Sequence, residues 1–414
     1  MRASGNAEIA VIGAGVVGMT IALRLAQAGH EVVVLDPEAP GSGCSYGNAG
    51  TIADYAVMPV GTPEVLRALP ALLFNRNSPL AIRRAALPAL APWLWRFLRQ
   101  SLPGPAARNA HALARLLADA ATRWRALAAE CGAAAVLQDR GCLYAYATAA
   151  DFEAAARAMA ARHRLGVTVD LLDGRALTML EPALRGMAGA AFFPGALFLS
   201  DPGVMMAALA RRMLAAGVAH RRARVTALQR TGPGVRLATS DGAMINTRRV
   251  ILCAGAQSRA LARMAGDAVP LETERGYHAE WDMATPRLSR PACPVARGFY
   301  LCPMTGRLRV AGTVELGGLA APASVHRIAR LVEGARAVFP DLGPPDRTWL
   351  GFRPSLPDSL PVIGPSRGGA EVVHAFGHGH LGVTLAPVTA SLVLAIIQGA
   401  TPEIDLAPFQ ATRF

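Results

Sequence analysis

The chain contains no lysine. All 42 of its basic side chains are arginine, set against 29 acidic ones, which leaves a formal charge of +13 and a pI near 10.6. Such a balance would ordinarily point to nucleic acid or an anionic membrane. Here the arginines are dispersed. The longest basic run is HRRAR, His220 to Arg224, and no aromatic residues interleave with it as on a single-strand-binding surface. A nucleic-acid partner is therefore not expected. Charged residues amount to only 17% and apolar ones to 52%, which excludes extended disorder.

Cysteine is also sparse. Cys44, Cys131, Cys142, Cys253, Cys293 and Cys302 form no CxxC pair and no zinc-like spacing, so no thiolate metal centre is expected. Free thiols suit a reducing compartment, and the expectation is a cytoplasmic protein. The N-terminus carries one arginine before it enters a strand, unlike a signal peptide. No uninterrupted apolar run reaches the roughly 18 to 20 residues that span a bilayer, which leaves open only a peripheral contact with the inner face of the membrane. At 414 residues the chain can bury the core of two domains, or of one intertwined pair.

The clearest signal present is AEIAVIGAGVVGMTIALRLAQAGHEVVVLD: an apolar strand, then Gly13-x-Gly15-x-x-Gly18, a helix, and a second strand ending at Asp36. Gly13 allows the turn out of the strand, Gly15 lets the backbone approach a pyrophosphate, and Gly18 lets the helix pack close to the sheet. Val16 and Val17 then open the helix, whose free N–H groups and positive dipole end face the phosphates. Asp36 stands where an adenosine ribose would be held. This fingerprint serves NAD and FAD alike. Three features favour FAD: its place at the start of a long chain, the small polar stretch GSGCSYGNAGT (Gly41 to Thr51), and TRRVILCAGAQS (Thr247 to Ser258). The last resembles the second nucleotide-contacting strand of the glutathione-reductase-type flavoproteins. No second GxGxxG unit, as needed for reduction by NADH, follows.

Along the rest of the chain, prolines divide MPVGTPEVLRALPALLFNRNSPL and LPALAPWLWRFLRQSL into short helices. Trp93, Trp95 and Phe97 there supply an apolar surface for core or inter-domain packing, or for a lid or membrane contact. One alanine-rich helix is expected over about 104–130, a strand at GCLYAYAT, and a helix opened by Asp201-Pro-Gly. Strands follow near Val225 to Leu228 and Val235 to Thr239, joined by TGPG. From Val269 to about Arg347 strand-like runs dominate, including ERGYHAEWDM, FYLCPM and LRVAGTVEL. The fold class is thus α/β with an α+β substrate part: a glutathione-reductase-type FAD-binding Rossmann domain with an inserted mixed-sheet substrate domain. The expected division is 1–58, 198–266 and 347–414 for the FAD-binding domain, and 59–197 and 267–346 for the substrate part.

Taken together, GxGxxG, CSYGNAG, RGYH, GFRPSLPDSLPVIG, GHGHLGVTLAP and the closing IDLAPFQATRF resemble the FAD-dependent D-amino-acid oxidase superfamily nearly end to end. Within it the chain is most similar to bacterial D-amino-acid dehydrogenases, including the D-hydroxyproline dehydrogenase-like members. The resemblance implies non-covalent FAD and hydride transfer from the Cα of a D-amino acid to flavin N5. The imino acid so formed hydrolyses to a 2-oxo acid and ammonia, and a cyclic substrate would give a cyclic imine. A quinone or another carrier is the expected electron acceptor. The rivals are a glycine- or sarcosine-type oxidase using O2 and a flavin subunit of a larger dehydrogenase complex.

The resemblance also assigns residues. Arg353 matches the arginine that grips the substrate carboxylate, for which a planar guanidinium is suited; pairing with Asp358 is the structural alternative. Tyr277 and His278 match side chains placed over the flavin, the first as a second carboxylate donor and the second facing the amine. Ser45, Asn48, Ala49 and Gly50 match the loop beside the flavin ring, while Val225, Ala254 and Gly255 belong to the nucleotide-contacting strands. Gly377, Gly379, His380, Leu381, Gly382, Val383 and Thr384 match a turn that brings backbone N–H groups and a helix N-terminus to the flavin pyrimidine, where negative charge develops. His380 stands where some oxidase relatives have arginine, and so is expected to face the substrate. The histidines His374, His378 and His380 have no carboxylate or cysteine nearby in sequence to complete a metal set.

Overall fold

The computed structural model describes residues 6–74, 78, 80–232 and 234–414. Part of the proline-interrupted stretch (75–77 and 79) and Pro233 of the TGPG turn lie outside the described residues.

Strand Asn6–Ile12 is the centre of the first sheet. It pairs in parallel with Val32–Asp36 on one side and Met244–Leu252 on the other, and Ala219–Arg222 extends the sheet beyond Val32–Asp36. The outer edge of Met244–Leu252 is shared: its first half pairs with Gly234–Thr239, and its second half runs parallel to Gly369–Phe376. Ile9, Val11, Val34, Ile251 and Val373 are fully buried between layers, as the continuous apolar runs of a parallel sheet require. Helices Val16–Gln27 and Gly382–Gln398 pack together over one face.

That C-terminal helix forms, with its lead-in turn, a 20-residue segment Gly379–Gln398 of mean hydropathy 1.9, long and apolar enough to cross a membrane. Two-thirds of it is buried inside this fold, against Val16–Gln27 and Ala120–Glu130. The sequence reading found no such run because Thr384, Thr389 and Ser391 interrupt it. Pro387 within it removes the N–H that would reach the carbonyl of Val383. The buried indole of Trp124 donates to that carbonyl instead, at 3.0 Å.

Among the described residues the second sheet has nine strands, in the order 347–355, 272–282, 307–316, 299–304, 292–294, 142–146, 189–193 and 170–173, with Leu80–Ile82 beside Arg307–Leu316. Strand Glu272–Asp282 is buried on both faces. One face, with Tyr277, Ala279 and Trp281, packs under helix Val325–Val338, which the sequence reading missed. The other face looks towards the first sheet. A small third sheet, Thr51–Ile52 with Leu197–Leu199 and Leu137–Gln138, lies where the chain passes between the two larger ones.

Two expectations need correction. The alanine-rich helix is broken at Ala118–Asp119 into Pro103–Leu117 and Ala120–Glu130. Strand Arg347–Ser355 belongs to the second sheet, so the chain returns to the first only with Val362–Ser366, later than residue 347.

Candidate active site

Gly13 leaves its strand with φ +109, and a Cβ there would lie 2.4 Å from the Cys253 carbonyl oxygen. The turn therefore demands glycine, and it abuts the Ala254–Gly255 segment. Gly15 is the N-cap of the first helix and supplies no capping side chain; no acidic residue lies in the first turn. Its missing Cβ leaves space up to the Ser45 hydroxyl, 3.5 Å from where that carbon would sit. Ser45 Oγ accepts from Val16 N at 2.9 Å. Asp36 receives the amides of Ala14 and Glu38 at 2.7 and 2.9 Å, so its carboxylate is fixed at the end of the second strand. Val225 opens a strand just after Ala223, whose amide donates to the Asp36 carbonyl. A helix start whose own N-cap is glycine, with only its first amide taken by Ser45, a bare backbone and a tethered acid fit a dinucleotide.

The loop 44–50 is fastened to the second sheet. Arg309, fully buried, donates to the carbonyls of Tyr46 and Asn48 at 2.8 and 2.7 Å, while its Nε meets Glu280 at 2.7 Å. Between those carbonyls, Gly47 O accepts from His278 Nδ1 at 3.0 Å. Cys44 Sγ lies 2.9 Å from Phe352 O. Within the loop, Asn48 closes a turn, accepting from Gly50 N at 2.6 Å. His278 stacks on Trp349 with ring centroids 5.1 Å apart. Burial, then the charge of Arg309, push its pKa down to about 4, so it is neutral near pH 7. His278 thus faces the loop 44–50, with one nitrogen spent on it.

Arg353 lies directly opposite Glu274, and Trp349 opposite His278, so all four side chains share one face of the second sheet. The guanidinium of Arg353 lies over Gly276, where a Cβ would come within 2.5 Å of its Cζ. It donates to the Thr313 carbonyl at 3.0 Å. Thr313, at φ +58 in an irregular stretch of its strand, is buried with its hydroxyl unpartnered. Among the described residues no carboxylate lies within salt-bridge distance of Arg353. Asp358 instead takes Arg413, at 2.7 Å, which removes the structural alternative.

Tyr277 requires correction. The period of two puts it on the opposite face from Arg353. Its hydroxyl donates to Glu315 at 2.5 Å and accepts from Ser324 N at 3.2 Å, under helix Val325–Val338. It is a buried structural residue.

The three C-terminal histidines diverge. His374 bonds Asp267 at 2.8 Å, and buried His378 bonds the Thr389 hydroxyl at 3.0 Å. His380 is exposed by area, yet its surroundings and the charge of Arg353 push its pKa down to about 4. The turn Gly379–Leu381 lies against strand Arg347–Ser355, so the start of helix Gly382–Gln398 and Arg353 edge the same space. Leu381 and Val383 are buried at that helix start, and Thr384 Oγ1 accepts from Ala53 N at 2.9 Å.

Sequence reasoning missed Arg309, Glu280, Glu274 and Trp349. The signal was available: charges alternating along ETERGYHAEWD and RLRV, in strands otherwise apolar enough to be buried.

Fold and site together define a two-domain flavin-binding oxidoreductase. Residues 8–396 match the family described as FAD dependent oxidoreductase, and the chain belongs to it; the cofactor is FAD. It is 36% identical to a D-amino-acid oxidase of Bradyrhizobium diazoefficiens over 98% of this chain and 99% of that one. It is 31% identical to a D-amino acid dehydrogenase of Dechloromonas aromatica, over 97% and 99%. Among solved structures, glycine oxidase from Geobacillus kaustophilus superposes with a TM-score of 0.77 at 24% identity, covering 99% of this chain and all of that one. L-Proline dehydrogenase from P. horikoshii gives 0.75 at 20%, covering 99% and 98%. The resemblance drawn from the motifs thus holds along the whole chain.

Proposed function

We propose that this enzyme oxidises the C–N bond of a D-amino acid, with Arg353 holding the substrate carboxylate. The observation that carries the reading is Arg353 itself: an arginine on the buried, site-facing side of the second sheet, with no carboxylate partner within reach among the described residues. A fork of parallel N–H donors fixes both the position and the rotation of a carboxylate, so the Cα–H is aimed rather than merely held nearby. The D-amino-acid names of the 36% and 31% identical relatives support the substrate class.

When bound, FAD supplies the two-electron acceptor for the Cα hydride. The protein's share is orientation and electrostatics. The turn Gly377–Gly382 and the start of helix Gly382–Gln398 offer backbone N–H groups where negative charge grows, and they need not reorganise to do so. The loop 44–50, pinned by Arg309 and His278, would hold the ring in register with the second sheet. His380, neutral near pH 7, lines the substrate side without competing for the carboxylate. The imino acid released then hydrolyses to a 2-oxo acid and ammonia.

For the acceptor, a quinone or similar carrier is the reading we favour, at a peripheral membrane contact. Helix Leu87–Gln100 supports it: Trp95 is 63% exposed beside exposed Arg96 and Arg99, whereas Trp93 is buried. The test is turnover of D-alanine with a dye acceptor, following pyruvate and ammonia, alongside an oxygen electrode. Stoichiometric 2-oxo acid with little peroxide supports a dehydrogenase. Rapid oxygen uptake would assign the oxidase reading, and no product from any D-amino acid would end both.

A further inference from the structure

Six carboxyl side chains are buried among the described residues: Glu181, Asp267, Glu274, Glu280, Glu315 and Asp358. Five have a basic partner, respectively Arg290, His374, Arg309, Arg275 and Arg413 for Glu181, Asp267, Glu280, Glu315 and Asp358, at 2.7 to 3.5 Å. Glu274 has none. A buried carboxylate without a counter-ion is costly, and it is retained where a ligand brings the missing charge.

The position of Glu274 says which ligand. It stands directly across from Arg353, on the same face of the sheet, beside the Ser355 hydroxyl. That guanidinium leans away over Gly276 to Thr313 O, so cation and carboxyl lie side by side without closing into an ion pair. An amino acid arrives as a zwitterion, with carboxylate and ammonium on adjacent atoms. A guanidinium and a carboxyl left apart on one face match that pair of charges. We propose that Glu274 receives the substrate ammonium and takes its proton before the Cα–H bond is cleaved. One N–H bond breaks, one O–H bond forms on Glu274, and the nitrogen lone pair so freed can support hydride departure. This inference rests on the amino-acid reading above.

The surroundings fit a proton acceptor. Burial raises the Glu274 pKa above the ordinary carboxylate range, and Arg353 and Ser355 pull it back down. The other titratable or charged groups around this corner are His380 from the turn, Cys44 of the loop and Glu272 two residues back. Arg259 lies 3.8 Å from Glu272. His380 is neutral, and burial raises the Cys44 thiol, so neither competes for the proton.

The test compares wild type, Glu274→Gln and Glu274→Asp over a pH series, with D-alanine as substrate and propanoate, which lacks the amine, as inhibitor. FAD content and thermal midpoint are recorded for each. The expected result is a roughly 100-fold fall in kcat/KM at neutral pH for Glu274→Gln. Its pH profile should move up towards the amine's own range, its propanoate inhibition should be retained, and Glu274→Asp should recover part of the rate. A Glu274→Gln enzyme with the wild-type pH profile overturns the proposal, as does one that loses propanoate and D-alanine equally. If wild type itself is reduced by no amino acid, the amino-acid reading fails and this proposal with it; wild-type turnover with an indifferent Gln variant sinks the proposal alone.

Discussion

Arg309 donates to the carbonyl of Asn48 at 2.7 Å across 261 residues of chain, tying the substrate sheet to the loop 44–50. The same guanidinium holds Tyr46 O and Glu280. It is a rivet between the loop and the second sheet and, on the proposed reading, a displacement of the loop would shift the flavin relative to the substrate.

Replacing Arg309 with methionine should therefore cost both stability and rate. Breaking a buried pair leaves Glu280 leaning on Arg307 and the half-exposed Arg347, and costs about 3 kcal/mol or more. Anaerobic reduction of the flavin should slow more than KM rises. Arg309→Lys should rescue little, because one ammonium cannot span two carbonyls and a carboxylate. Thermal unfolding and rapid-mixing reduction check this; an unchanged reduction rate would deny the loop its role.

Arg353→Ala should raise KM with FAD still bound. A charge-assisted bond contributes about 1.5–3 kcal/mol, so kcat/KM should fall by roughly 10- to 100-fold. Steady-state kinetics together with the flavin-to-protein absorbance ratio separate substrate binding from cofactor binding.

Tyr277→Phe separates the structural assignment from the one suggested by sequence. Glu315 would lose a donor and Ser324 N an acceptor, at about 1–3 kcal/mol of stability, with KM unchanged. A raised KM without loss of stability would restore Tyr277 to the carboxylate.

Gly13→Ala places a methyl group against the Cys253 carbonyl at a φ that side chains rarely adopt. The purified variant should be colourless, or should lose FAD on dialysis, as read from its visible absorbance.

His278, His378 and His380 each have a pKa near 4 in the fold, against about 6.5 in an unfolded chain. Between those values the unfolded chain binds the extra protons. Stability is thus fully present above about pH 6.5 and is lost as pH falls through 4. Asp54 works in the opposite sense. Burial raises its pKa to about 6, so its contribution is present at low pH and is lost as pH rises through 6. The histidines outnumber it, and the thermal midpoint should fall from pH 6.5 to 4. His378→Gln, which can still reach Thr389, should flatten that slope.

Much of this was legible in the sequence, for local reasons. The strand–glycine–helix–strand–acid series is short range, and each residue has its own mechanical demand, so the strand–turn–helix–strand unit around Gly13 to Asp36 could be read locally. The long-range pairings could not be read in the same way. Tyr277 and His278 are neighbours in sequence, and only the register of three strands shows that one faces the site and the other the helix behind. The partners of His374, His378 and Asp358, namely Asp267, Thr389 and Arg413, are likewise set by packing. The alternating charges of Glu280 and Arg309 mark strands apolar enough to be buried, but their partners, the loop carbonyls of Tyr46 and Asn48, are again set by packing.

The most direct measurement is anaerobic mixing of the yellow holoenzyme with a panel of D-, L- and N-substituted amino acids, following the flavin band. Bleaching by D-amino acids, absent with their mirror images and lost at the same concentration in Arg353→Ala, is the predicted result. A flavin band untouched by every member of the panel, or bleached equally well without the Arg353 guanidinium, would contradict it.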